Sequence, residues 1–376
     1  MTNHLEVLPV DPRDPLAIMA DLEEALSGQR ALLPVPKDDP TRAHLLRTTQ
    51  RVGEPIDSDI ALVVSTSGST GTPKGAQLTT SNLISSADAT HQALGGPGQW
   101  VLAMPAAFIA GIQVLVRSMV AGVEPEFLDL SQGFHVSEFA AKTRAISRTG
   151  ERCYTSLTPM QLAKATSTLE GIVALRQYSA VLVGGAATNP RLLESARRLR
   201  IRVVTTYGSS ETAGGCVYNG RPIAGARVRI SGGRIHLGGP MVALGYRNVP
   251  SHEAFAEPGW FATSDAGVLH DGTLTVTGRL DNIIDSGGLK LHPEVLETFM
   301  LGIEGVIAAC VVGVPDERLG QRICAAYTGS APVPVLMEAF DDLPRWQVPK
   351  ELKPVPALPL LGPGKVDRAA VRALFG

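Results

Sequence analysis

The chain has 376 residues, 44% of them hydrophobic, with 34 Lys+Arg against 36 Asp+Glu for a formal net charge of −2. That length suggests two domains, and the balanced charge speaks against a nucleic-acid or anionic-membrane partner. The longest apolar runs, near Val306–Val314, fall far short of the roughly 20 residues that span a bilayer. The start, MTNHLEVLPVDPRDP, lacks the apolar core of a signal peptide, and Cys153, Cys216, Cys310 and Cys324 form no Cys-x-x-Cys pair, so a soluble cytoplasmic protein with reduced, buried thiols is expected. Residues 1–55 are mixed, with a Pro-rich stretch at Leu33–Pro40. Ile60–Ser65 reads as a buried strand running into a Gly/Ser/Thr loop, and Ser81–Leu94 as a helix ending at Gly95-Gly96. Thr158-Pro159 marks a helix start. Tyr178–Val183 and Ile201–Thr206 read as strands. Between them Asn189-Pro190 opens a helix with Leu192, Leu193, Ala196 and Leu199 on one face, and this strand–helix–strand order argues for a parallel α/β layer. From Gly220 the texture turns to short runs broken by Gly, Asn and Asp, the mark of hairpins. A helix from His292-Pro293 to Leu301, strands at Val306–Val314 and Ile323–Tyr327, and short helices at Val335–Phe340 and Asp367–Leu374 follow. The fold expected is α/β: a large N-terminal α/β domain with a β-rich subdomain, residues 1–279, and a small α+β C-terminal domain, residues 280–376.

The segment Ser65–Gly75, STSGSTGTPKG, follows the first buried strand. Its glycines let backbone approach a ligand, its Ser and Thr residues offer hydroxyls, and Lys74 offers a positive charge, an inventory suited to a polyphosphate. A solvated linker rarely follows a buried strand and carries one lysine. A Walker-type loop requires Gly-Lys-Ser/Thr, whereas Lys74 stands between Pro73 and Gly75, and Gly364-Lys365 is followed by Val366.

Ser67–Gly75 resembles, without a gap, the signature loop of the adenylate-forming enzymes, a family of acyl-CoA synthetases, peptide-synthetase adenylation domains and luciferases. Further motifs follow in that family's order to the end of the chain. The resemblance implies that Ser67, Ser69, Thr70, Gly71 and Lys74 hold phosphate. It implies that Gly184, Gly185 and Ala186 lie against adenine. Thr206–Thr212, TYGSSET, is similar to the family's Tyr-Gly-x-Thr-Glu. Tyr207 would then stack on the base, with Gly208 also in the nucleotide site, Ser210 would donate to the α-phosphate, and Glu211 would hold Mg²⁺. Gly259–Asp265 resembles Trp/Tyr-Phe-x-Thr-Gly-Asp, with Ser264 in place of the glycine, which implies Asp265 as the ribose ligand. Gly278-Arg279-Leu280-Asp281 is similar to the hinge motif. Arg279 would reach ribose or phosphate, and Asp281 would be the pivot of a mobile C-terminal domain. Gly287 and Gly288 would line a thiol tunnel, and Lys365, in a Gly-Lys-x-x-Arg tail, would sit over the α-phosphate and the attacking carboxylate. Lys365, Lys74 and Glu211 are thus the implied catalytic residues.

The short chain resembles the o-succinylbenzoate–CoA ligases of menaquinone synthesis, above all their actinobacterial type, and Gly95–Gly122 carries that likeness most strongly. The substrates implied are small molecules: ATP with Mg²⁺, an aromatic dicarboxylic acid and coenzyme A. Neither nucleic acid nor membrane insertion is implied, and a homodimer is possible. Arg117, alone in an apolar helix, is the candidate for holding the second carboxylate, with pairing to a structural acid as the alternative. The family's histidine near the acyl site is missing from Pro105–Gly111, and His91 is expected on a helix surface. The other readings are an aryl-CoA ligase for a monoacid, an enzyme loading a carrier protein, and a catalytically silent nucleotide sensor.

Overall fold

The computed structural model describes residues 3–66, 72–360 and 366–376. They fall into two compact units: Met1–Ala187 with Ala196–Arg229 and His236–Ala262, and Thr188–Ser195 with Ile230–Ile235 and Thr263–Gly376. The second unit thus takes in the hairpin preceding the Arg279–Asp281 segment.

The first unit holds two sheets. One runs in the order Pro55–Ile56, Asn3–Val10, Ala31–Pro36, Ile60–Ser65, Gly75–Thr79. The mixed N-terminal region therefore supplies central strands. Ala31–Pro36 is buried despite two prolines because it pairs along its whole length with Asn3–Val10 but touches Ile60–Ser65 only at Leu32↔Leu62. Lys37 N–H donates to Val10 O (2.9 Å), so odd-numbered amides face the fully paired neighbour, and Pro34 and Pro36 lack an N–H only on the sparsely paired side. The second sheet runs Arg221–Pro222, Gly214–Tyr218, Val203–Ser209, Ala180–Val183, Cys153–Leu157, Gln99–Leu102, Glu126–Phe127, parallel from Val203–Ser209 onward. This is the predicted parallel layer. The predicted helix ends hold too. Thr79 and Asn82 form a capping box and Gly95 (φ 88°) closes the helix Thr80–Leu94, while Thr158 and Gln161 cap the helix begun by Pro159. All four cysteines are free and buried, and burial pushes the Cys216 and Cys310 thiols up to about 12.

In the second unit, Val306–Asp316 and Gly320–Gly329 form a long antiparallel hairpin, joined in parallel by Glu351–Pro354, a strand with no sequence signal. Pro293–Leu301 packs on it. Arg368 fastens the C-terminal helix to this layer: its guanidinium donates to Glu297 (2.7 and 2.9 Å), to Val311 O (2.7 Å) and to Glu294 (3.3 Å). Removing one partner of such a half-buried network leaves carboxylates uncompensated. Arg368→Ala is therefore expected to cost this unit about 3 kcal/mol, read as a lower thermal midpoint of its unfolding; an unchanged midpoint would contradict the anchoring role.

Candidate active site

The first unit gathers its candidate residues at the C-terminal ends of its parallel strands, where α/β sheets bind ligands. Ser67, Ser69, Thr70 and Gly71 lie outside the described residues. The base of their loop is closed by Ser65↔Gly75 pairing and by Thr66 N–H donating to Lys74 O (2.8 Å). Its returning leg is held by residues that no local motif announces. Gln50, fully buried, donates to Pro73 O (2.8 Å), and Asn248 donates to the same oxygen (2.9 Å) while accepting from Gly75 N–H (3.1 Å). A Cβ on Gly75 would lie 2.0 Å from Gln50 Oε1 and 2.6 Å from Val63 Cγ1, so the glycine is required by close packing.

Lys74 emerges from this leg into a cluster. Its ammonium lies 5.1 Å from the Tyr246 ring centroid and 2.9 Å from His252 Nε2, and among the described residues it has no ion pair. Tyr246 Oη donates to Glu211 Oε1 (2.6 Å). Burial, reinforced by the Glu211 charge, pushes the Tyr246 hydroxyl well above its usual range, so it remains a donor. Burial and then the neighbouring Lys74 lower the pKa of His252. Glu211 is itself 7% exposed and is the middle residue of a single helical turn, Ser210–Thr212, after the strand that carries Tyr207 and Gly208. Ser210 Oγ stands 3.5 Å from Ser65 O, so the Tyr207–Glu211 segment and the loop are neighbours. One strand over, Gly184 packs against Thr206: a Cβ there would meet Thr206 Oγ1 at 2.2 Å. Gly185 and Ala186 are exposed beyond it.

In the same unit the helix Ile109–Ala121 buries Arg117. Arg117 is 3% exposed, its guanidinium carbon lies 5.1 Å from the Trp100 ring centroid, and its Nε has no partner among the described residues. Pairing with a structural acid is not observed: among the described residues Arg117 has no carboxylate partner. Burial lowers its pKa, the mark of a cation held without a counter-charge. His91, expected on a helix surface, is instead buried at 6% exposure with Nε2 unpartnered among the described residues, and burial and then the Arg117 charge lower its pKa. The reason is that Leu83, Ser86, Ala87, Thr90 and His91 share one helical stripe of Thr80–Leu94, which packs on Ile109–Ala121. That spacing is readable in the sequence once polar residues are allowed on it.

In the second unit Asp265 and Arg279 are cross-strand partners in an antiparallel hairpin, with Arg279 Nη1 3.7 Å from Asp265 Oδ1. Arg279 Nε also donates to Asp281 Oδ1 (2.8 Å), and its Nη2 pairs with Asp281 Oδ2. The ribose, phosphate and pivot candidates thus form one charged group. Gly287 (φ 64°) and Gly288 (φ 80°) are the two-residue turn between Ile284–Ser286 and Leu289–Leu291, a conformation that by itself favours glycine. Lys365 lies outside the described residues. The chain on either side of its segment is pinned by the Leu360↔Val366 bridge and by Asp367 N–H donating to Pro359 O (2.8 Å).

Residues 3–247 match the AMP-binding enzyme family, and residues 295–365 match the AMP-binding enzyme C-terminal domain. The chain is 47% identical over 371 residues to a probable 2-succinylbenzoate–CoA ligase of Mycobacterium tuberculosis, covering 95% of each chain. It is 30% identical over 382 residues to the 2-succinylbenzoate–CoA ligase of Escherichia coli K12, covering 97% of this chain and 81% of that one. In fold it is similar to o-succinylbenzoate CoA synthetase from Bacillus subtilis in complex with its acyl-adenylate intermediate, at a TM-score of 0.82 and 22% identity over 98% of this chain and 88% of that one. The same enzyme in complex with ATP and magnesium ion gives a TM-score of 0.81 and 23% identity over 97% and 88%.

Proposed function

The chain belongs to the AMP-binding enzyme family, and from that premise we propose that it joins 2-succinylbenzoate to coenzyme A at the expense of ATP, releasing AMP and pyrophosphate. The observation that carries the choice of acid is Arg117. A buried guanidinium without a counter-ion is costly, and a ligand that brings a second, remote carboxylate would supply what the protein does not. His91, whose ring feels the Arg117 charge, is a further candidate to greet that carboxylate.

In the first half-reaction a carboxylate oxygen of the acid attacks the α-phosphorus, the bond to the bridging oxygen breaks, and pyrophosphate leaves with that electron pair. Lys74 and the loop hydroxyls of Ser67, Ser69 and Thr70 hold the leaving phosphates; Lys365 aligns the attacking carboxylate and offsets charge at the α-phosphate. Tyr207, with Gly184, Gly185 and Ala186, receives adenine; Ser210 donates to the α-phosphate; Asp265 and Arg279 take the ribose. Glu211 suits Mg²⁺. Tyr246 occupies Oε1 and leaves Oε2 without a donor among the described residues. No group of three His, Cys, Asp or Glu able to hold a metal ion occurs among the described residues, so such an ion would rest on Glu211, phosphate oxygens and water. When bound, it would neutralise phosphate charge. In the second half-reaction the small domain turns about Asp281, Lys365 withdraws, and the thiol enters past Gly287 and Gly288. Its sulfur attacks the acyl carbon, the thiol proton passes to solvent, and AMP departs with the carbon–oxygen bond's electrons. No described helix is long and apolar enough to cross a membrane, and the proposed place is the cytoplasm, where ATP and coenzyme A are held.

The test is a panel of acids with ATP, Mg²⁺ and coenzyme A, the products read by mass. 2-Succinylbenzoate is expected to give its thioester and benzoate essentially none. A thioester from benzoate alone, or transfer only to the pantetheine of a carrier protein, would replace this reading with one of its rivals.

A further inference from the structure

His252 is absent from every motif of the sequence, yet its ring stands 2.9 Å from the ammonium of the phosphate-loop lysine. The state of the ring follows from its other nitrogen. Nδ1 accepts the backbone N–H of Ala254 at 3.1 Å, so in the neutral ring the proton sits on Nε2, the atom that faces Lys74. A lysine ammonium has donors only. Two donors therefore face one another with no acceptor between them among the described residues. Glu211 does not serve, because it is engaged at the far end of Tyr246, whose ring lies beside both Lys74 and His252. Burial and the Lys74 charge lower the pKa of His252 against the opposing pull of Glu253 and Glu211, which keeps the ring neutral and Nε2 a donor near neutral pH. The His252 side of the cluster opens on a cavity of about 340 Å³ lined by Gln77, Tyr246, Pro250, His252 and Phe255.

We propose that Lys74 and His252 form a two-donor clamp for the terminal phosphates of the nucleotide, and hence for the departing pyrophosphate, with no contact to the AMP part. The clamp rests on the reading of Lys74 as a phosphate ligand. An oxygen of the β- or γ-phosphate satisfies both donors at once, and a charge-assisted hydrogen bond to phosphate is among the stronger ones available. A tyrosine ring between this clamp and Glu211 spaces the terminal phosphates from the metal-binding carboxylate. His252 is a binding and positioning residue, so its loss acts on ligands with terminal phosphates and spares those without.

The experiment is calorimetric titration of the full chain with MgATP, with magnesium pyrophosphate and with AMP. His252→Asn keeps an acceptor for Ala254 N–H and removes the donor at the Nε2 position; His252→Gln places an amide N–H near that position. His252→Asn is expected to weaken MgATP and pyrophosphate by about tenfold and leave AMP within about twofold, and His252→Gln to recover most of the loss. Equal weakening of AMP, or no weakening of pyrophosphate, would overturn the clamp while leaving the ligase reading in place. A wild-type chain that binds none of the three would overturn both.

Discussion

Arg117→Met is expected to lower kcat/KM for 2-succinylbenzoate by about a hundredfold or more, almost wholly through the KM for the acid, while the KM for ATP stays within about twofold. The same substitution is expected to raise the thermal midpoint of the unliganded protein by about 2 °C or more. Both follow from one fact. Arg117 is 3% exposed, stacked on Trp100, and unaccompanied by any carboxylate among the described residues. Without substrate the chain bears the desolvation of a cation offset only by the Trp100 face and by no carboxylate among the described residues, and methionine fills comparable volume without that cost. With substrate, the charge gains its partner, and methionine forfeits it. A rise in stability joined to a loss of acid affinity is the signature of a group retained for a ligand rather than for the fold. If acid KM were unchanged in Arg117→Met, the second carboxylate would have to be held elsewhere; if stability fell sharply, Arg117 would be a structural residue.

Glu211→Gln is expected to lower acid-dependent ATP–pyrophosphate exchange by roughly 10²–10³-fold, with the thermal midpoint nearly unchanged. The glutamine is isosteric and its amide oxygen can still accept from Tyr246 Oη, now at 2.6 Å from Glu211 Oε1. What disappears is a negative charge aimed at the phosphates. The loss should be partly recovered by raising Mg²⁺, because a site built on one carboxylate and phosphate oxygens weakens when the carboxylate becomes neutral. Exchange at the wild-type rate would remove Glu211 from the metal and point to Asp265 or to the nucleotide alone.

Much of the candidate site was legible because its chemistry is packed into short contiguous runs that end strands. STSGSTGTPKG leaves Ile60–Ser65, and TYGSSE is the end and turn of Val203–Ser209. Each run carries its own type of ligand group, so residue identity and spacing suffice. The scaffold behind those runs was not legible. Gln50 and Asn248 reach Pro73 from 23 and 175 residues away, and His252 reaches Lys74 across 178. No local periodicity records a hydrogen bond made over such a separation. The N-terminal strands were obscured by Pro34 and Pro36, residues that weaken a strand reading unless one knows which side of the strand is left unpaired. His91 was misplaced for a different reason: a polar residue on a helix suggests the wet face, but here the stripe of Leu83, Ala87 and His91 is the dry one. Gly287 and Gly288 show the converse. Their place in the thiol tunnel rests on resemblance, while the backbone accounts for both glycines through the turn they form.

The most direct test of the central claim is the fate of the acid's own oxygen. 2-Succinylbenzoate labelled with heavy oxygen in its carboxylates, turned over with unlabelled ATP, Mg²⁺ and coenzyme A, is predicted to deliver one labelled oxygen into AMP, because the attacking carboxylate oxygen stays on the α-phosphorus when sulfur takes the acyl group. Label appearing in inorganic phosphate with formation of ADP, or thioester formed with unlabelled AMP, would contradict an acyl-adenylate and with it the roles assigned to Lys74, Glu211 and Lys365.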